Sequence, residues 1–257
     1  SRGRAEAGNA GVRAAFGKYI AFLDDDDLFL PDHLAAGCRV LESDDADLVY
    51  LGALVSDRRL CGLPADHTKF PLKAYPYDYR FLLVANFIHT GSVITRNFRH
   101  TPVRFDERLE VCEDWDIWIA LSETLAYRMS FVNKIATIYH QVPDVVGLVA
   151  SAQRTSPSKF EVARDYIYAK WPSDDPLVLT YRRWLIALER FRSSLIAKNR
   201  TMPNLLFDEI LRYLHRRISH EKSADYADIS RFFDLDDHGS EEELENLSPV
   251  NVRVASR

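Results

Sequence analysis

The sequence predicts an α/β fold, in which helices flank a mostly parallel β-sheet, followed by a helical C-terminal extension. Three observations support this prediction. Continuous apolar runs rich in strand-forming residues occur at Tyr19–Leu23 and Asp47–Ser56, as in strands that are covered on both faces. A helical pattern precedes each run, so that helix and strand alternate along the chain. From about Thr155 the spacing of apolar residues becomes helical.

Composition and charge restrict the class of protein. The chain has 257 residues, which fits one large domain or one domain with an appendage. A hydrophobic fraction of 47% and a charged fraction of 28% are typical of a soluble globular protein, and the net charge of -5 argues against a nucleic-acid binder. No apolar run approaches the ~20 residues of a membrane span. The three cysteines match no metal motif and favour a reducing compartment, so we expect a cytoplasmic protein.

The first predicted element is a helix that ends near Gly17, where a C-terminal capping glycine belongs. Its buried face is predicted to consist of Ala5, Asn9, Val12 and Phe16. Nothing before this helix resembles a strand. Because a sheet-based domain that begins on a helix is unusual, we expect N-terminal strands to be absent from this chain.

A second helix and further strands complete the predicted core. Pro31 is expected at the first position of the second helix, whose buried stripe is formed by Leu34, Cys38 and Leu41. Residues 57–80 are predicted to be a loop because three prolines interrupt any regular pattern. We predict strands at Thr90–Arg96 and Lys134–His140, and a helix at Val111–Ala126.

The later part of the chain is predicted to be helical, with a basic surface. Between Tyr181 and Arg217, nine Lys or Arg residues stand against three Asp or Glu residues. A solvated helix face is the usual explanation, and peripheral contact with a membrane surface or with phosphate-bearing substrates is the alternative. An acidic, sparsely apolar tail is predicted to be disordered. The predicted divisions are a core at 1–150, a helical region at 151–233 and the tail at 234–257.

Four consecutive aspartates, Asp24 to Asp27, follow the first predicted strand directly. In parallel α/β sheets, ligands bind beyond the carboxyl ends of the strands. Clustered carboxylates are stabilised there by a bound cation, and oxygen ligands suit Mg²⁺ or Mn²⁺ together with phosphate oxygens. The pattern therefore predicts a metal–diphosphate site. The alternative, an acidic helix N-terminus, accounts for Asp27 or Asp32 but not for four aspartates in a row.

Two segments occur in a distinctive order: GNAGVRAAFGKYIAFLDDDDLFLPDHL at residues 8–34 and RFDERLEVCEDWDIWIAL at residues 104–121. They closely resemble the N-x-G helix, the G-K/E-Y-I-A-F-L-D-D-D-D and L/W-x-P-x-x-L segments, and the F-D-E-x-L…E-D-W-D-L-W segment of family 2 glycosyltransferases. The resemblance runs from about Ala5 to His140. It implies a GT-A-like, Rossmann-like fold for the core.

The resemblance implies a donor site at the acidic turn. The D-x-D signature of the family falls on Asp24, Asp25 and Asp26. By similarity, Asp24, Asp25 and Asn9 are assigned to the nucleotide-sugar donor and its diphosphate, and Asp26 to a divalent cation, Mn²⁺ or Mg²⁺. The cation would act as a Lewis acid toward the departing nucleoside diphosphate. Asp27 is assigned to support of the helix that follows.

The resemblance also implies a catalytic base. The E-D pair of the family falls on Glu113 and Asp114, of which Asp114 is assigned as the general base and Glu113 to the acceptor side. Helical spacing supports this assignment, because Asp114 leads an apolar face formed by Ile117, Trp118, Leu121 and Leu125. Partial desolvation would raise the affinity of such a carboxylate for a proton. The alternative is that the acidic cluster caps the helix.

Two histidines are further candidates. The family often has a Y-R-x-H-like stretch whose histidine contacts the metal or diphosphate, and His140 is assigned to the metal on this basis. The order Tyr139-His140-Gln141 lacks that spacing, so a structural role for His140 is the alternative. His89 is assigned to the acceptor side.

The chain departs from the family near its N-terminus. The opening strand of the family, with its P-x-Y/F-N-type signature, and the aspartate that helps to recognise the nucleotide base are both absent. The helix reads Ala7-Gly8-Asn9 where the family commonly has A-R-N, so a basic contact near the diphosphate is expected to be missing. The sequence therefore suggests either a fragment or a chain that is not active alone.

The sequence as a whole predicts a metal-dependent glycosyltransferase. It would move a sugar from a nucleotide-sugar donor to a hydroxyl of a saccharide, lipid-linked or other acceptor, with inversion, as in polysaccharide biosynthesis. One rival is a metal-dependent nucleotidyl or phosphoryl transferase, which would release pyrophosphate or phosphate. Another is a non-catalytic module that binds a cation or a sugar nucleotide. The residues do not identify the donor sugar or the acceptor.

Overall fold

A computed structural model describes residues 3–142, 158–197 and 204–224. The described residues form two compact units, the first made of 3–77 and 86–142 and the second of 78–85, 158–197 and 204–224. The domain boundaries predicted at residues 150 and 233 lie outside the described residues, as does the tail predicted to be disordered, and all three stay predictions.

The helices and strands follow one another in an order close to the predicted one. In chain order they are α1 (Arg4–Ala14), β1 (Tyr19–Ala21), β2 (Leu28–Phe29), α2 (His33–Glu42), β3 (Leu48–Ser56), β4 (Leu72–Lys73), α3 (Tyr79–Leu82), β5 (Val93–Arg96), α4 (Glu113–Leu125), β6 (Met129–His140), α5 (Lys159–Lys170), α6 (Pro176–Ala197) and α7 (Asn204–Ile218). Short 3-10 turns lie at His67–Lys69 and Thr90–Ser92. Helices α3, α5, α6 and α7 belong to the second unit.

The first unit is built on a sheet with the strand order β1-β5-β3-β6-β2, and β4 also pairs with β3. Only β3 and β6 form a parallel pair among the described strands; the other pairings are antiparallel. The α/β prediction is confirmed, but the prediction of a mostly parallel sheet is wrong. Strands β1 and β3, which α2 connects, do run in the same direction, yet β5 lies between them in the opposite direction.

The two predicted buried strands differ in their surroundings. All nine residues of β3 are buried, as predicted, because the strand is central and pairs on both sides. Strand β1 lies at the edge of the described sheet and is only partly covered. Ala21 is exposed, and Leu23 just beyond the strand keeps 48% of its surface. Burial of β1 on both faces is therefore a wrong prediction.

Helices α1 and α2 bury most of the residues predicted for their faces, and one predicted residue of each helix is exposed. Helix α1 ends at Ala14, so Phe16 lies beyond it, 81% exposed, with the Arg99 guanidinium 4.3 Å from its ring centroid. Helix α2 begins at His33 rather than Pro31, and Leu34 is 49% exposed. Its buried face starts from the first helical residue and consists of His33, Ala36, Gly37 and Leu41. Leu41 is buried and Cys38 is partly buried against the same core cluster, so the predicted stripe is wrong only at Leu34.

Arg182 is a buried arginine that connects three helices of the second unit through hydrogen bonds to main-chain oxygens. It is 4% exposed and donates hydrogen bonds to the main-chain oxygens of Leu83 (2.8 Å), Trp171 (2.7 Å) and Tyr168 (3.4 Å). Its guanidinium also lies 4.4 Å from the centroid of the Tyr168 ring. Arg182 thereby joins α6 to the C-terminal ends of α3 and α5.

The predicted basic surface is partly internal. Besides Arg182, Arg192 is buried, with its Nη2 3.4 Å from Glu189 Oε2. Arg164 donates to the other oxygen of the same carboxylate at 2.9 Å. The prediction of an exposed basic face is wrong for Arg182 and Arg192, because carboxylate and carbonyl partners compensate their charge inside the unit. Among the described residues, no helix combines the length and apolar character needed to cross a bilayer.

Candidate active site

The four aspartates form a turn directly after β1. The main-chain N–H of Asp27 donates to the carbonyl oxygen of Asp24 at 3.1 Å. One carboxylate oxygen from each of Asp24, Asp26 and Asp27 lies within 4.8 Å of the others. Asp25 is exposed and lies outside this group. The turn therefore concentrates three of the four predicted carboxylates at one point.

Asp27 is the buried member of the acidic turn, with a fully covered side chain. Its Oδ1 accepts a hydrogen bond from the main-chain N–H of His140 at 2.9 Å, so Asp27 is tied to β6 rather than to the helix that follows. Its Oδ2 lies 3.1 Å from His89 Nε2. The two atoms lie at ion-pair distance, but neither has an aligned hydrogen-bond partner among the described residues. The buried Oδ2 therefore has His89 as its neighbour and accepts no aligned hydrogen bond beside Asp24 and Asp26.

His140 holds the main chain of the acidic turn. Its Nε2 accepts the N–H of Leu60 at 3.0 Å, so the ring proton is assigned to Nδ1, which donates to the carbonyl oxygen of Asp26 at 2.6 Å. Arg59 Nη1 donates to the same oxygen at 2.8 Å. Both ring nitrogens of His140 are engaged by the main chain in this arrangement. Its assignment as a metal ligand stays a prediction.

Arg4, in the first turn of α1, joins the acidic turn to the start of α4. Its Nη2 donates to Asp24 Oδ2 at 2.9 Å, and its Nε lies 3.1 Å from Glu113 Oε1. Burial lowers the pKa of the Arg4 guanidinium, but the carboxylates of Glu113, Asp24 and Asp114 outweigh this effect and raise it overall. Burial also raises the pKa of the Asp24 carboxyl. The positive charge of Arg4 opposes this rise, and the negative charge of Asp27 adds to it. Arg4 is therefore the main cation facing this acidic group.

Gly8, the position at which a basic contact near the diphosphate is expected to be missing, lies against the Phe105 ring. A Cβ at Gly8 would lie 2.9 Å from the Phe105 ring, so a side chain there requires Phe105 to move. Arg4 precedes Gly8 by four residues and therefore lies on the same helix face. The arginine beside the acidic turn thus comes from one helical turn earlier, and the absence of a basic contact to the diphosphate at Gly8 stays a prediction.

Glu113 is the desolvated carboxyl at the start of α4. It is 4% exposed, whereas Asp114 is half-buried. Burial, reinforced by the charge of Asp114 and opposed by Arg4, raises the pKa of Glu113 to about 7. The sequence predicted partial desolvation for Asp114 at the head of an apolar face, and Asp114 is half-buried. The neighbouring Glu113 is more strongly desolvated.

Replacement of Glu113 is expected to change the pH dependence of stability. The pKa of Glu113 is higher in the folded chain than its usual value of 4.5, so the folded state binds this proton more tightly. Its contribution is complete below pH about 4.5 and is lost as the pH rises through about 7. Relative to Glu113→Gln, the wild type should lose about 2–3 kcal/mol of unfolding free energy between about pH 5 and about pH 8.

Urea unfolding at several pH values measures this difference. Glu123→Gln is the matched control, because it removes an exposed carboxylate from the same helix. Parallel pH profiles for the wild type and Glu113→Gln would contradict the assignment of a raised pKa to Glu113.

Asp114 is held by three hydrogen bonds. Its Oδ2 accepts from Asn86 Nδ2 at 2.9 Å and from Thr90 Oγ1 at 2.8 Å, and its Oδ1 accepts from the main-chain N–H of Trp115 at 2.8 Å. The residue before the helix, Cys112, has a left-handed backbone (φ 63°) that starts α4 at this point. The carboxylate is thus fixed at the helix start while remaining partly accessible.

Two other predicted residues have well-defined surroundings. The Asn9 side chain donates to Phe105 O at 2.9 Å and to Glu107 Oε1 at 3.0 Å, and it accepts the Phe105 N–H at 2.8 Å. Its amide therefore ties α1 to the segment before α4. The His89 side chain is 7% exposed and packs against the Tyr139 ring, 4.4 Å between centroids. The predicted donor role of Asn9 and acceptor role of His89 stay predictions.

The structure thus brings Asp24, Asp26 and Asp27 together and links them to Glu113 through an arginine. Sequence reasoning missed Arg4, Asn86, Thr90 and Arg59. Helical spacing from Gly8 could have identified Arg4. The other three lie in loops or a turn, where no periodicity indicates which side chains reach a site.

Comparison with known proteins agrees with these features. The family model described as glycosyl transferase family 2 matches residues 1–135. The chain is 32% identical over 144 residues to the uncharacterized glycosyltransferase YwdF of Bacillus subtilis, covering 53% of this chain and 50% of that protein. It is also 32% identical over 154 residues to the succinoglycan biosynthesis protein ExoO of Rhizobium meliloti, covering 54% of this chain and 42% of that protein.

Solved structures show a more distant likeness. One is the crystal structure of S. aureus TarS 1-349 in complex with UDP-GlcNAc, with a TM-score of 0.48 and 18% identity over 74% of this chain and 52% of that chain.

The chain spans about half the length of the curated relatives it matches. The match to the family model covers more than half of the chain, and it includes the acidic turn and the start of α4. The chain therefore belongs to glycosyl transferase family 2.

Proposed function

We propose that the chain carries the acidic donor-side turn and the catalytic base of a metal-dependent glycosyltransferase. The enzyme would transfer a sugar from a nucleotide-sugar donor to an acceptor hydroxyl with inversion at the anomeric carbon. The observation that best supports this proposal is that two groups of carboxylates lie close together and are linked. One is the acidic turn after β1, and the other is Asp114 at the start of α4. Arg4 links them, because it contacts both Asp24 of the turn and Glu113 beside Asp114. Family membership supports the reaction class.

The donor set at the acidic turn fits a divalent cation. Oxygen ligands of Mg²⁺ at about 2.1 Å lie roughly 3–4 Å from one another, and the oxygens of Asp24, Asp26 and Asp27 lie within 4.8 Å. The buried Oδ2 of Asp27 accepts no aligned hydrogen bond from the described residues, although His89 Nε2 lies 3.1 Å away, and this supports an additional cationic partner there. These three aspartates would hold Mn²⁺ or Mg²⁺. When bound, the cation supplies Lewis-acid stabilisation of the negative charge on the leaving diphosphate.

Arg4 is the protein cation best placed to meet the diphosphate. Its guanidinium lies beside two negative charges, with Nη2 2.9 Å from Asp24 Oδ2 and Nε 3.1 Å from Glu113 Oε1. Guanidinium groups bind phosphate oxygens through paired, charge-assisted hydrogen bonds. Arg4 would therefore orient the donor beside the acidic turn.

Asp114 would act on the acceptor. Its carboxylate removes the proton from the acceptor hydroxyl, the resulting oxygen attacks the anomeric carbon, and the bond from that carbon to the diphosphate breaks. Attack opposite the leaving group inverts the configuration. Positioning of the base and of the two reactants lowers the barrier of such a displacement, because the reacting groups no longer have to be brought together from solution.

The acceptor is proposed to be a saccharide. One relative is named for succinoglycan biosynthesis, and the chain is 32% identical to it over 154 residues. A growing polysaccharide or lipid-linked sugar presents hydroxyl groups of the required kind.

Transfer assays on the full-length gene product test the proposed function. We expect release of a nucleoside diphosphate from one member of a panel of UDP-, GDP- and dTDP-sugars with Mn²⁺ or Mg²⁺. A chelator should lower the rate by at least about 100-fold, and added metal should restore it, because several kcal/mol of charge stabilisation depend on the cation. The anomeric configuration of the product, read by NMR, tests inversion.

Two outcomes would contradict the proposal. Release of pyrophosphate or phosphate would indicate a nucleotidyl or phosphoryl transferase. Absence of both turnover and donor binding, measured by calorimetry across the panel, would indicate that the chain is not a glycosyltransferase.

A further inference from the structure

The lone pairs of the Asp114 carboxylate are used unequally. An ionised carboxylate offers about four lone-pair positions, two on each oxygen. Asn86 and Thr90 occupy both positions on Oδ2, and the N–H of Trp115 occupies one on Oδ1. Among the described residues no other hydrogen-bond donor reaches this side chain. One position, on Oδ1, therefore accepts no hydrogen bond from the described residues.

The two side chains that hold Oδ2 are themselves fixed. Asn86 Oδ1 accepts the N–H of Ile88 at 3.2 Å, which orients the amide so that its Nδ2 points toward the carboxylate. Thr90 begins the 3-10 turn Thr90–Ser92. Both the N–H and the hydroxyl of Ser92 donate to His89 O, at 2.9 Å and 2.6 Å, and close that turn. The orientation of the carboxylate is therefore set by a segment that does not belong to α4.

The same segment also reaches the acidic turn. His89, next to Thr90, places its Nε2 3.1 Å from Asp27 Oδ2. A Cβ at Gly91 would lie 2.8 Å from this Nε2, so the glycine leaves the space that the histidine occupies. Residues 86–91 thus contact both carboxylate groups of the site and set one relative to the other.

We infer that Asn86 and Thr90 are positioning residues that anchor Oδ2 of Asp114, so that Oδ1 is the oxygen that takes the proton from the acceptor hydroxyl. The inference rests on the proposed function, in which Asp114 is the general base. A base acts only within hydrogen-bond reach of its proton, and a displacement of about 1 Å can cost roughly 100-fold in rate. A carboxylate without these donors can rotate about its Cβ–Cγ bond and lose that alignment.

Substitution of Thr90 tests the inference. Thr90→Val keeps the shape of the side chain and removes the hydroxyl, whereas Thr90→Ser keeps the hydroxyl. In the full-length gene product we expect Thr90→Val to lower kcat by about 10–100-fold and to leave KM for the donor within about twofold. Thr90→Ser should recover kcat to within about threefold of the wild type. Asn86→Ala should repeat the loss seen with Thr90→Val.

Thr95→Val is the matched control, since it removes a buried threonine hydroxyl from β5 whose hydrogen bonds run to Asp47 O and Arg96 O. It should leave kcat unchanged. An unchanged kcat in Thr90→Val would overturn the inference alone, provided that the wild type is active and Asp114→Asn is not. A parallel loss of donor binding, or failure of Thr90→Ser to restore kcat, would show a merely structural role. An inactive wild type would overturn the proposed function and the inference together.

Discussion

Asp114→Asn is expected to lower the rate of sugar transfer by about 1,000-fold or more, in the upper range for loss of a general base. The amide has nearly the same shape but cannot take up a proton, and its single oxygen can accept either from the Trp115 N–H or from the donors of Asn86 and Thr90, but not from both. Donor binding should stay within about threefold, because the acidic turn and Arg4 are untouched. Single-turnover release of the nucleoside diphosphate and calorimetry with the donor measure the two quantities.

The matched control for this change is Glu123→Gln. It converts an exposed acid of the same helix to an amide and should leave transfer unchanged. Wild-type turnover in Asp114→Asn would remove this residue from the reaction and would leave Glu113 as the remaining carboxylate of the pair.

Arg182→Met is expected to lower the free energy of unfolding of the second unit by about 3 kcal/mol, because unpaired buried carbonyl oxygens cost about 1–3 kcal/mol each. The substitution keeps much of the apolar stem but withdraws the donors from Leu83 O, Trp171 O and Tyr168 O. Arg182→Lys should recover only part of the loss, since an ammonium group cannot reproduce the planar fork that reaches three carbonyls. Urea unfolding gives the magnitude, and hydrogen exchange of the α5 and α6 amides localises it.

Arg190→Met serves as the control, because Arg190 is exposed on the same helix. Its effect should stay within about 0.5 kcal/mol, as for most surface substitutions. Equal losses in Arg182→Met and Arg190→Met would mean that the three carbonyl contacts do not stabilise the unit.

Secondary structure was predictable where the apolar pattern was long. The strand at β3 and the helix at α4 were placed within about two residues, because continuous apolar runs and helical spacing leave few alternatives. The pairing of strands was not predictable in the same way. Whether β5 inserts between β1 and β3 depends on contacts between residues about 45 positions apart, such as Val49 and Ile94, and local patterns carry no record of them.

Single positions on helix faces were less predictable, because packing by distant segments decides which of them is covered. Leu34 in the first turn of α2 is exposed, although Cys38 and Leu41 of the same predicted stripe are covered. The basic residues of α6 show the same limitation. Charge counted along the sequence indicated a solvated face, whereas Arg182 finds carbonyl partners and Arg192 a carboxylate partner in the interior.

The sequence by itself determined the chemistry of this protein: four aspartates after an apolar strand, a Glu-Asp pair at a helix start, and motifs specific enough to identify family 2 glycosyltransferases. Only the tertiary structure decided which of those groups are buried and which partners each of them contacts. It buried Asp27 beside His89, turned His140 toward the main chain, and brought in Arg4, Asn86 and Thr90. The physical reason is that residue type fixes what a side chain can donate, accept or ionise. Burial and partners contributed by distant segments fix which of these capacities is used.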